Sequence, residues 1–241
     1  MAYGLKGLLL LVIFSRPSAK VEAPSPLTPL PRRERGMLGL HRSRRVVFKL
    51  SSLFALDAFA GGFVVTSFVA YWFSVRFGAE PAALGAIFFA ANILAGISAL
   101  MAARIAGRIG LIKTMVYTHI PSNILLMLVP LMPTLPLAVL VLLLRFSISQ
   151  MDVPTRQSYT MAVVDPDERS AAAGVTGVAR TTGAAISPSL TGALMSSPAL
   201  LNVPFYLAGG LKILYDVLLY RNFKALKPPE ETAAIQHAQV S

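Results

Sequence analysis

The chain has 241 residues, of which 55% are hydrophobic and only 14% charged, and its mean hydropathy is +0.64. This composition excludes an ordinary soluble domain, in which charged residues make up about a quarter of the chain. A formal net charge of +11 would suit nucleic-acid binding in another protein. Here the placement of the cations instead indicates membrane topology. Cysteine is absent, so disulfides and thiolate metal sites are excluded.

The first segment of the chain is a short apolar run, Leu8–Phe14, that is too short to cross a bilayer. We interpret residues 1–14 as the remnant of an upstream transmembrane helix that this chain largely lacks. A secretory signal peptide is the alternative, but it would export the cation-rich segment that follows, against the positive-inside bias. Residues 15–49 are rich in Pro and Arg and are predicted to form a disordered, basic cytoplasmic loop.

Six apolar stretches follow, each close to the roughly 20 residues that a helix needs to cross the hydrocarbon core. They are Leu50–Val75, Ala82–Ile105, Thr114–Met132, Leu137–Val163, Ala171–Met195 and Val203–Tyr220. The pattern predicts an all-α membrane protein with a six-helix transmembrane bundle over residues 50–222. Residues 223–241 are then a cytoplasmic tail.

The basic residues in the connections lie mainly on one side of this bundle. Beyond those that precede the first stretch, they are Arg104, Arg108, Lys113, Arg169, Arg221, Lys224 and Lys227. The opposite side holds only Arg76, next to Glu80. Cytoplasmic loops are enriched in Lys and Arg, so both termini are predicted to be cytoplasmic and the protein to be integral to the cell (inner) membrane.

Two further patterns predict how the helices are anchored and packed. The cluster Tyr71–Phe73 at the outer end of the first helix is typical of aromatic anchoring at the membrane interface. Small residues in the fifth stretch predict close helix contact. They are Gly174, Gly177, Gly183, Ser187 and Gly192.

Charged residues inside the apolar stretches are costly there and are candidates for function. Asp57, Arg145 and Arg180 are our candidates for the substrate path or for proton coupling. Asp57 either exchanges protons or, as we favour, forms a fixed salt bridge to Arg156 or Arg180. For Arg145, contact with an anion or substrate and a structural partnership on another helix are equally supported. Arg180 either lines the cavity or, more simply, forms an inward ion pair.

Other charged residues have the spacing of ion pairs within one helix. Asp152 and Arg156 are four residues apart around Pro154, and we expect a gating or structural pair in a bent helix. Lys212 and Asp216 have the same spacing and are predicted to neutralise each other. His119 and Asn123 share a face of the third helix. For His119 we favour a hydrogen-bonded packing role over a proton shuttle.

The turn between the second and third helices carries a recognisable pattern. It runs Ala103-Arg-Ile-Ala-Gly-Arg-Ile-Gly-Leu-Ile-Lys113 and resembles the cytoplasmic loop motif of the major facilitator superfamily. The positions that carry this motif are Arg104, Arg108, Gly110 and Lys113. The family has an acid where this chain has Gly107, so the charge-relay role of that acid does not transfer.

Three other segments extend the resemblance. Asp165–Gly174 resembles the acidic-then-Arg link into the following helix of that family, while Met151–Tyr159 and Leu53–Asp57 resemble a bacterial branch of uncharacterised facilitator-like permeases. The likeness covers about Lys49 to Leu226. It implies the C-terminal six-helix half of such a transporter, built as two three-helix inverted repeats, with residues 15–49 as the central loop.

The resemblance implies a facilitator-type, proton-linked secondary carrier that works by alternating access, with its substrate site between two halves. Its expected partners are the lipid bilayer, a small solute, possible protons and either an N-terminal half or a second copy. No cofactor, metal or nucleic acid is expected. No phosphate loop, metal cluster or activated nucleophile occurs, so an enzyme is not expected. The alternatives are a dimerising six-helix channel or permease and a non-transporting membrane remnant.

Overall fold

Eight α-helices make up most of the computed structural model, which describes residues 37–226. They are α1 (Arg44–Gly62), α2 (Thr66–Phe77), α3 (Pro81–Ile109), α4 (Leu111–Leu128), α5 (Leu135–Ser149), α6 (Asp152–Ala162), α7 (Arg169–Met195) and α8 (Val203–Phe223). Within residues 37–226 no β-strand is present, which confirms the all-α class. The predictions for residues 1–14, for most of residues 15–49 and for the tail beyond Leu226 lie outside the described residues.

Five helical segments are long and apolar enough to cross a membrane. They are Arg44–Phe77, Pro81–Ile109, Leu111–Leu131, Leu135–Ala162 and Pro198–Phe223. The remaining predicted span, Ala171–Met195, is the helix α7, but it is not among these five. Its many Gly, Ser and Thr residues, together with Arg180, lower its mean hydropathy.

Two of the five segments are interrupted helices. The first is divided into α1 and α2 at Phe63–Val65, where Gly61 and Gly62 weaken the helix and Val65 adopts an extended backbone. The second is divided into α5 and α6 at Gln150 and Met151. Pro154 has no amide N–H to donate and lies in the first turn of α6, where a helix tolerates proline.

Gly110 makes the connection between α3 and α4 as short as one residue. Its φ of 90° and ψ of 160° fall in a region that is essentially confined to glycine. The loop-motif residues therefore lie on helix ends: Arg104 and Arg108 in the last turns of α3, and Lys113 in the first turn of α4. All three cations are exposed.

The closest helix pair is α1 with α7. A methyl group added at Gly183 would overlap the carbonyl oxygen of Ala55, and one added at Gly62 would overlap the Ser187 hydroxyl. Gly183 and Ser187 thus make the close contact that the small-residue pattern predicted. Gly174, Gly177 and Gly192 do not, since a methyl group on any of them would meet open space.

An aromatic core surrounds Trp72 of α2. Trp72 and Phe73 are completely buried, and the Trp72 ring packs edge-on against Phe205 with centroids 5.0 Å apart. Its indole Nε1 donates to Asn202 Oδ1 over 2.8 Å. The prediction of interface anchoring is therefore wrong for Trp72 and Phe73, because neighbouring helices cover both rings. Tyr71 remains exposed.

Close packing at Gly183 leads to a first prediction. Gly183→Ala should lower the free energy of unfolding by about 1–3 kcal/mol, because α1 must move away to admit the methyl group. Gly177→Ala in the same helix is the matched control, since it removes the same glycine entropy where space is open. Thermal unfolding of the purified protein measures both. Equal stability of the two variants would contradict the close contact.

A buried charge cluster between four helices

Asp57 on α1 is the centre of a buried ion-pair cluster. Lys212 Nζ on α8 donates to Asp57 Oδ1 over 2.6 Å, and Arg156 Nη2 on α6 lies 3.0 Å from Asp57 Oδ2. All three side chains are buried. The bridge to Arg156 is one of the two partners expected for Asp57, whereas the sequence did not indicate Lys212. Two cations on one carboxylate offset much of the cost of burying its charge.

Arg156 also joins the cluster to its own helix. Its Nη2 contacts Asp152 Oδ2 one turn earlier on α6, which is the expected i,i+4 pair. The guanidinium carbon lies 5.2 Å from the ring centroid of Phe54 and 5.8 Å from that of Tyr215. Aromatic faces attract a desolvated guanidinium, so these rings help to hold the cation in the bundle.

His119 on α4 extends the cluster to a fourth helix. Its Nδ1 lies 2.9 Å and 3.0 Å from the two carboxylate oxygens of Asp216 on α8, and its Nε2 lies 4.0 Å from Asp57 Oδ1. Asn123 Nδ2 donates to Asp216 Oδ2 over 3.5 Å. His119 and Asn123 therefore share a face of α4, as expected, and both use it to reach Asp216.

The expected pairing of Lys212 with Asp216 is wrong. The two residues lie one turn apart on α8, but Lys212 reaches α1 and Asp216 reaches α4. An i,i+4 spacing brings two side chains within reach of each other, but it does not decide between that pair and partners on neighbouring helices. Here Lys212 lies 2.6 Å from Asp57 and Asp216 lies 2.9 Å from His119, and both contacts are buried.

Arg145 and Arg180 do not enter the cluster. Both side chains are half-buried and both Nε atoms lack a hydrogen-bond partner. The guanidinium of Arg145 lies 5.0 Å from the Phe146 ring centroid and interacts electrostatically with Asp152. Within residues 37–226 no carboxylate lies within 4.0 Å of either arginine, so the ion pair expected for Arg180 is not found there.

Glu168 is a buried acid that the sequence did not single out. Its carboxylate accepts hydrogen bonds from the backbone amides of His41, Arg42 and Ser43, at 2.6, 2.8 and 2.8 Å. Burial alone would raise the pKa of Glu168, but these amide donors outweigh it and hold the pKa at about 2. Glu168 thereby fixes the segment that leads into α1.

The cluster pairs buried charges from separate helices, and the geometry of its residues does not suit a metal ion. Within residues 37–226, no group of three or more His, Asp or Glu side chains is placed to ligate one ion. Its parts come from four helices, α1, α4, α6 and α8. A movement of any of these helices would change the partners of the buried charges.

Comparison with known proteins identifies related sequences. The family model described as "Major Facilitator Superfamily" matches residues 2–188 and, in a second overlapping placement, residues 53–239. The chain is also 29% identical over 175 residues to "Uncharacterized membrane protein YJR124C" of Saccharomyces cerevisiae. That alignment covers 72% of this chain and 39% of the yeast protein, so the chain spans about two-fifths of the length of this relative. No solved structure matches.

Coupling between Asp57 and Lys212 gives a second prediction. Asp57→Asn should cost about 3–5 kcal/mol of stability, because it leaves two buried cations short of a countercharge. Lys212→Gln should cost about 0.5–3 kcal/mol less in the Asp57→Asn background than in the unmodified protein, because it then removes one of the two unpaired cations. Chemical unfolding of the single and double variants measures this coupling, with Arg104→Gln as an exposed control. Strict additivity would refute a direct pair.

The Glu168 contacts give a third prediction. The folded-state pKa of about 2 lies below the ordinary value of 4.5, so Glu168 contributes stability that is present above pH 4.5. That contribution is lost as the pH falls through about 2. Glu168→Gln should therefore lower the melting temperature near neutral pH, and the difference from the unmodified protein should shrink between these two values.

Asp167→Asn is the matched control, because Asp167 is more exposed and receives none of the three amide hydrogen bonds. Melting temperatures measured across this pH range should distinguish the two variants. A Glu168→Gln deficit that stays constant down to pH 2 would show that the ionised carboxylate is not the stabilising group.

Proposed function

Because the chain belongs to the Major Facilitator Superfamily, a family of membrane transporters, we propose that it forms one helical half of a secondary carrier. The proposed carrier is proton-linked and moves a small solute by alternating access. The protein is integral to a membrane. We place it in the cell (inner) membrane with both ends cytoplasmic, on the basis of its Lys and Arg distribution.

The observation that carries this proposal is a correspondence between two sets of three helical segments. We take α7 as the fifth of six spans, so that the first three spans form one repeat and the last three another. The interrupted segments, α1–α2 and α5–α6, are then the first span of each repeat. Interrupted helices at corresponding positions of two inverted repeats are the best sequence-level pointer to a transporter binding site.

The helix contacts support the same correspondence. The first interrupted segment packs through α1 on α7 and α8, and the second packs on α3 and α4. Exchanging the two repeats converts one set of neighbours into the other: α3 corresponds to α7, and α4 corresponds to α8. An inverted repeat requires this reciprocity. Because α7 makes the most extensive helix contact of the bundle, with α1, its polar face need not meet lipid.

We propose that Arg145 and Arg180 contact the solute in a cavity completed by an N-terminal half or a second copy. The two arginines lie on the first and second spans of the second repeat. Their unpaired Nε atoms and partial exposure are consistent with a polar or anionic solute. Asp57, held between two cations, is better suited to a structural or gating role than to exchanging protons. Asp152 and Arg156, just after the break before α6, complete that gate.

Thiol accessibility tests this proposal, because the chain has no cysteine of its own. Thr181→Cys places a thiol on an exposed position of α7 beside Arg180, where we expect the cavity. Leu100→Cys is the control: Leu100 on α3 is 79% exposed and should face lipid. Both variants are made in the full chain and treated in native membranes with a membrane-impermeant methanethiosulfonate.

Alternating access predicts that the Thr181→Cys thiol reacts both in intact cells and in inside-out vesicles, while the Leu100→Cys thiol reacts in neither. Reaction from one side only is the result expected for a non-transporting remnant, and it would overturn the proposal. Equal reactivity of the two thiols would show that α7 does not line an aqueous cavity.

A further inference from the structure

We propose that the His119–Asp216 pair, which joins α4 to α8, is the site at which this chain binds the coupling proton. The pair holds one exchangeable proton, shared between the imidazole and the carboxylate. This inference rests on the proposed proton-linked carrier and deepens it, because it assigns the coupling ion to two residues. It also moves the proton away from Asp57, the residue for which the sequence alone raised that role.

The three buried aspartates of the cluster differ in their countercharges. Asp57 has Lys212 and Arg156 within ion-pair distance, and Asp152 has Arg156. Asp216 has neither a lysine nor an arginine within 4.0 Å in residues 37–226; its ion-pair partner there is His119. A histidine supplies a positive charge only when it is protonated. Asp216 is therefore the carboxylate whose neutralisation depends on a proton.

The geometry fits one shared proton. Nδ1 of His119 lies 2.9 and 3.0 Å from the two oxygens of Asp216, so a single hydrogen bond joins an imidazolium to a carboxylate or a carboxyl group to a neutral imidazole. Asp216 has no solvent exposure and His119 is 5% exposed. Removing the proton would leave a buried carboxylate without a countercharge, which is strongly unfavourable.

No charge on the helices packed against His119, within residues 37–226, substitutes for this proton in this arrangement. The ionisable groups on these helices include Asp57 on α1, Lys113 and Tyr117 on α4, Arg145 on α5, Asp152, Arg156 and Tyr159 on α6, Lys212, Tyr215, Tyr220 and Arg221 on α8, and Arg104 and Arg108 at the cytoplasmic end of α3. The cations nearest the pair are already engaged: Lys212 with Asp57, and Arg156 with Asp57 and Asp152. Neither contacts Asp216 in this arrangement.

A movement of α1 would release the proton, because it would free a cation to neutralise Asp216 in place of the proton. Lys212 is one turn from Asp216 on α8, and His119 Nε2 is 4.0 Å from Asp57 Oδ1. If α1 withdrew from α8, Lys212 would lose Asp57 and become the cation available to Asp216. The proton on the pair would then be displaced. Proton binding and the position of α1 are coupled in this way, as a proton-linked carrier requires.

Residues within about one turn of the pair along α4 and α8 carry buried polar atoms that have no hydrogen-bond partner. They are Ser122 Oγ and Asn123 Oδ1 on α4 and the Tyr215 hydroxyl on α8. Groups of this kind are normally satisfied by ordered water. Asn123 also donates to Asp216, so these groups place polar atoms next to the pair.

Proton occupancy is measured without any transport assay. The full chain carrying His41→Gln and His237→Gln keeps His119 as its single histidine, and is purified in lipid nanodiscs with ¹⁵N-labelled histidine. NMR reports imidazole protonation, and infrared spectroscopy reports a protonated carboxyl group. We expect one of these two signals at pH 6. In Asp216→Asn the midpoint of imidazole protonation should move by about one pH unit or more, and a carboxyl band from Asp216 should disappear.

A neutral imidazole at pH 6 with no protonated-carboxyl band would overturn the proposal. So would an imidazole midpoint that Asp216→Asn leaves unchanged. If Asp216→Asn does not fold, His119→Gln serves instead: it should leave Asp216 protonated at neutral pH, which infrared spectroscopy detects. A merely structural hydrogen bond between neutral His119 and ionised Asp216 would show neither signal.

Coupling is tested with the Thr181→Cys thiol. The ratio of its labelling rates from the two sides of the membrane, in which the pH-dependent thiolate fraction cancels, should change at least threefold between pH 6 and 8, and Asp216→Asn should abolish that change. Two-sided labelling with a ratio that does not depend on pH would leave the carrier proposal standing and refute the proton site. A shared proton combined with one-sided labelling would refute the carrier and retain the proton-binding pair.

Discussion

The cost of placing charge in hydrocarbon is the constraint on which this bundle depends. Asp57 on α1 is stable there because Lys212 from α8 and Arg156 from α6 converge on its carboxylate. Asp216 on α8 likewise needs a partner in the hydrocarbon, and His119 on α4 provides it. Within lipid, hydrophobicity alone gives an apolar helix little preference for one neighbouring helix over another. The buried charges provide that preference, because the arrangement of α1, α4, α6 and α8 gives each buried aspartate a partner on another helix or one turn away on its own.

In the proposed carrier, the same cluster would also let the bundle switch between two arrangements. Its contacts join separate helices, and α6 begins at the break that ends α5, so the proposed movement could tilt α6 relative to α5. Close contact between Gly183 and Ala55 holds α1 and α7 together as a unit. Movement of that unit against α8 would exchange the partners of Lys212. In this way the position of the α1–α7 unit would be linked to which buried charges pair.

Local features of the chain were predictable and pairings between helices were not. Length and hydropathy located five spans, and the loop motif located Gly110, because both depend on residues close in sequence. The pairing of Lys212 with Asp57 was missed, since the spacing on α8 suits Asp216 equally well. Trp72 was misplaced because an aromatic ring suits both an interface and a core. Glu168 was missed because its partners lie more than 120 residues earlier in the chain.

Native-state hydrogen exchange on the Asp57→Asn variant tests the central claim most directly, which is that one charge cluster couples four helices. The account predicts that amide protection falls tenfold or more not only near position 57 on α1 but also around Arg156 on α6, Lys212 on α8 and His119 on α4. Protection lost on α1 alone, with the other three helices unchanged, would contradict it.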